Sequence, residues 1–156
     1  MTTESKGHMM NRKLLTLIAV GTLLSFGHTA DHAIRDDLRW PSPALIGLVI
    51  VSLVLYSAIG TGLYLSAKGT VGPRFWTIFA VAGLLVGWAA HFSPFTEQPP
   101  AYILRAYNYA LAGWVALGVL VALMLVMGVA GVYAAYLWRC EVQRSHRDLR
   151  SANKAL

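Results

Sequence analysis

Four long apolar stretches dominate the chain. They run from about Leu14 to Ala30, Ala44 to Ala67, Phe75 to Phe92 and Tyr109 to Trp138, and no Asp, Glu, Lys or Arg interrupts any of them. A helix needs about 20 mostly apolar residues, at 1.5 Å each, to cross about 30 Å of hydrocarbon. All four stretches fit that requirement. A backbone in lipid must satisfy its own hydrogen bonds, and four spans of this kind do so as helices. The pattern therefore predicts an all-α, four-transmembrane-helix bundle over 14–138, preceded by a tail (1–13) and followed by a basic tail (139–156). The breakers fall between the spans: Pro41 and Pro43, then Gly69, Gly72 and Pro73, then Pro94, Pro99 and Pro100.

Composition supports this division. Hydrophobic residues make up 56% of the 156 residues and charged residues 13%, against about 25% charged in an ordinary soluble domain. A disordered chain and a typical water-soluble enzyme are excluded. One cysteine excludes an internal disulfide framework and a multi-cysteine zinc site. The formal charge of +6 suggests nucleic acid only until the charges are located. They lie at span edges, without the interleaved aromatics of a nucleic-acid face, so no nucleic-acid partner is expected.

The same charges predict the threading. Lys6, Arg12, Lys13, Lys68, Arg74, Arg139, Arg144, Arg147, Arg150 and Lys154 fall on one side, and Arg35, Arg39 and Arg105 on the other. The basic side faces the cytoplasm, so both termini are expected there, and the short loops point to a bacterial inner membrane. Aromatic residues gather at both edges, as amphipathic rings do. Arg12 and Lys13 before an apolar run also fit a signal peptide. The only cleavage point, after Ala30, would put His28 where a small residue is wanted, so the first span is expected to be kept. Met9 or Met10, directly before Asn11-Arg12-Lys13, is a natural initiator.

Polar chemistry gathers at the extracytoplasmic end. Three of five histidines and four of seven acids lie there, in Gly27-His28-Thr29-Ala30-Asp31-His32-Ala33-Ile34-Arg35-Asp36-Asp37 and in His91-Phe92-Ser93-Pro94-Phe95-Thr96-Glu97. His28 is 15 residues from Lys13 and His91 is 17 from Arg74, which places both rings within roughly 3 Å of the same depth. His28 and His32, at i and i+4, share a helix face. Histidines at one level suit a transition metal or a haem iron, with a carboxylate such as Asp31 or Asp36 orienting a ring. Met124 falls at a comparable depth but reads as a core methionine. A purely structural account also exists: Asp31 pairs with Arg35 and His32 with Asp36 at i,i+4, while His28 bonds a neighbouring helix and His91 caps a helix end or bonds a loop carbonyl.

Three functions are compatible with these features. Smooth spans without intramembrane charge, together with small-residue stripes such as Gly83-Leu84-Leu85-Val86-Gly87, favour a non-enzymatic accessory or assembly subunit, packing on a membrane partner or a second copy. The cluster of His28, His32 and His91 supports a metal- or haem-binding electron-transfer or metal-handling protein. The same residues with Asp31, Asp36 or Glu97 as partners support a membrane enzyme on a lipid-like substrate, with the loop from Ser93 to Asn108 as a lid.

Overall fold

The computed structural model describes residues 11–35, 43–96 and 98–153. Among these, every regular element is an α-helix: α1 (Arg12–Arg35), α2 (Pro43–Ala67), α3 (Pro73–His91), a short α4 (Pro100–Arg105) and α5 (Ala110–Asn153). All but α4 are long and apolar enough to cross a membrane. Asp36 and Glu97 lie outside the described residues.

Local chemistry explains the boundaries. The Asn11 side chain accepts from the backbone N–H of Lys13 and Leu14, at 3.0 and 3.4 Å, and so caps α1. The last turn of α2 closes through Gly69, whose φ of +70° is a left-handed conformation that glycine adopts without steric cost. Pro73 then opens α3, where its missing N–H has no helical partner to lose. Pro99 and Pro100 start α4 in the same way. The α5 helix does not stop at Trp138. It is 44 residues long in all, about 66 Å at the standard rise, and carries the basic segment out as helix as far as Asn153.

The α5 helix is the axis of the bundle, with α1, α3 and α4 against it and α2 the least engaged of the spans. The basic end of the bundle is closed by Leu14, Ile18, Ile59, Trp76 and Ala134, with the Trp76 indole N–H donating to Ser66 Oγ at 3.0 Å. Its rim pairs cations with rings, Lys68 over Tyr64 and Arg74 over Trp138. The opposite end is closed by Ile103 of α4 on Ala116 and Leu120 of α5. The glycines of α3 serve this packing: a Cβ at Gly83 would meet Met127, and one at Gly87 would meet the Met124 sulfur. Outward positions such as Leu23, Leu53, Val54, Leu85, Leu111 and Val132 are exposed. A belt of that size is a liability in water and the expected surface in lipid.

Candidate metal centre

The last turns of α1 and α3 meet at the end opposite the basic rim. Along α1, the spacing His28, Asp31, His32, Arg35 places all four side chains on one helix face. His91 is the last residue of α3 and is buried.

The three imidazoles converge. His28 Nε2 lies 3.1 Å from His91 Nε2 and 3.2 Å from His32 Nε2. Ligand atoms from all three fall within 4.8 Å of one another, and the rings of His28 stand edge-on to both neighbours. His91 Nδ1–H donates to the backbone carbonyl of Gln98 at 3.2 Å. That fixes the tautomer of a neutral ring and turns the Nε2 lone pair of His91 toward the other two. A neutral imidazole nitrogen either donates once or accepts once. His28 Nε2 therefore cannot form a linear hydrogen bond to both neighbours.

A single cation held by the three rings would resolve that conflict. Zinc–imidazole bonds of about 2.0–2.1 Å in tetrahedral geometry place ligand nitrogens about 3.3 Å apart. The observed 3.1 and 3.2 Å are within a few tenths of that value. A haem iron takes its two axial nitrogens from opposite faces of a porphyrin, about 4 Å apart at the same bond length. The donor set fits a bare ion better than a haem.

Some of the ring nitrogens already have partners that orient them. Gln98 orients His91, and His32 has a further partner. His28 Nδ1 is buried with no hydrogen-bond partner. Asp31, expected as a ring-orienting carboxylate, is engaged elsewhere. Its Oδ2 takes Arg35 Nε at 2.9 Å and Nη2 at 2.6 Å, and its Oδ1 accepts from the Tyr107 hydroxyl. The i,i+4 pairing of Asp31 with Arg35 is present as the sequence suggested; its counterpart, His32 with Asp36, ends on an undescribed residue. Arg35 also lies over the Tyr102 ring, 5.8 Å from its centroid. The segment after α3 thus covers the site with both tyrosines.

Tyr107, within the loop expected as a lid, is the residue whose bond to Asp31 the sequence did not suggest. No local signal marks a tyrosine 76 positions from its acceptor. Met124 sits one turn below, its sulfur against Gly87, in agreement with its reading as a core residue. Glu97 and Asp36 cannot be placed relative to the histidines. Searches among family models, curated proteins and solved structures return no match for this chain.

Proposed function

We propose that the chain is a four-span membrane protein that binds one divalent transition-metal ion through His28, His32 and His91, near the extracytoplasmic face, with both termini cytoplasmic. The observation that carries this reading is the approach of His28 Nε2 to within 3.1 Å of His91 Nε2 and 3.2 Å of His32 Nε2, with one ligand atom from each of the three rings within 4.8 Å of the others. Neutral imidazole suits zinc, copper and iron, and three protein ligands leave a fourth position for water or substrate, the pattern of an open site. The threading rests on the ten-to-three distribution of basic residues. This reading requires the first span to be kept, because cleavage after Ala30 would remove His28.

The other readings keep part of their support. The Gly83–Gly87 face is filled by Met124 and Met127 of the same chain, whereas a Cβ at Gly60 or Gly128 would meet nothing within 4 Å, which leaves small-residue faces open to a partner. Asp31, one of the carboxylates expected to partner a histidine base, is held by Arg35 and Tyr107.

The test is metal analysis of detergent-purified protein, with Co2+ as an optical probe. One equivalent of zinc or cobalt per chain is expected, falling at least ten-fold in affinity in His28→Ala and in His91→Ala. Loss of a ligand-orienting contact typically costs 10–100-fold, and loss of a ligand should cost no less. Substoichiometric metal, unchanged by either substitution, would overturn the proposal.

A further inference from the structure

The α2 helix leans on α1 at one level and on α3 at another. Tyr56 of α2 stacks on Phe26 of α1, with ring centroids 4.2 Å apart, and its hydroxyl meets those of Ser25 and Thr29 at 3.4 and 3.1 Å. Toward the basic end α2 meets α3, where Ser66 accepts the Trp76 indole N–H and a Cβ at Gly62 would strike the Phe75 ring. Nearer the histidines a cavity lies between the helices. Val51 and Val54 of α2 and Val86 of α3 line it, and the same three residues are 57, 66 and 61% exposed. A side chain that is both wall and outer surface marks a mouth. The cavity therefore opens sideways between α2 and α3, among the apolar side chains of the outward belt. Val86 is five residues from His91, about 7.5 Å along the helix, so the mouth lies within the apolar depth of the spans.

The inner end of this cavity is bounded by His28, His32 and His91, with Ser25 and Thr29 beside them. One turn further along α1 the chain closes over the rings. There Asp31 and Arg35 pair with buried side chains, Tyr107 bonds Asp31, and Tyr102 lies against Arg35. None of these four residues borders the cavity. The imidazoles thus stand between a covered, charged layer and an apolar cleft that opens toward lipid. That arrangement sorts ligands. A charged head is costly to desolvate in an apolar mouth, and a freely water-soluble molecule is scarce in hydrocarbon. An apolar chain with an uncharged head meets neither barrier, and the Ser25, Thr29 and Tyr56 hydroxyls offer that head hydrogen bonds at the inner end.

We infer that the histidine centre is served from the bilayer: its ligand is a lipid-dissolved molecule with an apolar chain and an uncharged donor head, entering between α2 and α3. The inference rests on the metal reading above and adds the class of ligand that fills the ion's open position.

The experiment uses full-length, cobalt-loaded protein in phosphatidylcholine nanodiscs, where both faces of the bilayer meet the buffer. Two thiols offer the same donor atom: dodecanethiol, uncharged and lipid-dissolved, and mercaptoethanesulfonate, charged and confined to water. Sulfur-to-cobalt absorption reads binding. Dodecanethiol is expected to raise that band at one per chain with the cobalt retained, and the sulfonate to raise none. Val51→Trp and Val86→Trp narrow the mouth without altering the ligands. Each should keep its cobalt and slow the growth of the band about ten-fold, a barrier higher by about 1.4 kcal/mol. Val132→Trp, at an exposed position of α5 away from the cavity, should leave the rate unchanged. A band from the sulfonate, no band from dodecanethiol, or a rate indifferent to both mouth substitutions overturns the inference and leaves the metal site standing. Wild-type protein that takes up no cobalt overturns the metal reading itself, and this inference with it.

Discussion

Asp31 and Arg35 show how much one residue can carry at the histidine end. Their side chains are 6% and 0% exposed, so each charge depends on the other. Removing one partner of a buried pair typically costs 3–5 kcal/mol, because the survivor is left uncompensated. Asp31→Asn should destabilise by about that amount, and Asp31→Asn with Arg35→Gln should cost less than Asp31→Asn alone. Thermal unfolding of the purified variants measures both. Tyr107 adds a hydrogen bond to the same carboxylate from the segment before α5. Burial first, and then donation to Asp31, push its phenol up from the ordinary 10.0 to about 12. The unfolded chain therefore releases this proton at lower pH than the folded one. Stability from Tyr107 is complete below pH 10 and is lost as pH rises toward about 12. Tyr107→Phe should lower stability at neutral pH by about 1.5–3 kcal/mol, the usual worth of a bond to a charged acceptor. It should also remove this part of the alkaline loss, visible as a flatter difference curve between pH 10 and 12.

Between elements, the glycines separate tight packing from loose packing. A Cβ at Gly113 would sit 2.8 Å from the Leu104 carbonyl oxygen and 3.0 Å from its Cα. Those atoms belong to the backbone of α4 and cannot swing aside. A Cβ at Gly83 meets only the flexible end of Met127. Gly113→Ala should therefore destabilise by about 1–3 kcal/mol, as overpacking does, and loosen the α4 segment that covers the site. Gly83→Ala should be near neutral, because a helix gains up to about 1 kcal/mol when alanine replaces glycine. Denaturation in one detergent, with both variants side by side, gives the order. The helices themselves were legible because an uninterrupted apolar run permits little else in lipid. The α4 turn was not. It has six residues, too short for a periodic signal, and its place depends on Ile103 finding Ala116 and Leu120.

For the whole molecule, the threading can be tested on intact cells. After Cys140→Ser, single cysteines introduced as Asp36→Cys and His146→Cys should respond oppositely to an impermeant maleimide. Position 36 should label from outside and position 146 only after lysis; the reverse pattern would invert the orientation and move the metal site to the cytoplasmic side. The level of the histidines was readable from the chain, because a fixed rise per residue converts position into depth. Azimuth was not. Rotation of α1 and α3 about their axes is set by how Leu14 and Ile18 seat among Ile59, Trp76 and Ala134, and by the fit of Gly83 and Gly87 over Met127 and Met124. Hydropathy alone thus determined that the chain makes four apolar rods with imidazoles at one end, since lipid leaves an apolar backbone few choices. Whether those imidazoles faced one another, which partners Asp31 took, and whether a cavity remained beneath them were decided by side-chain packing between distant segments, which no local pattern encodes.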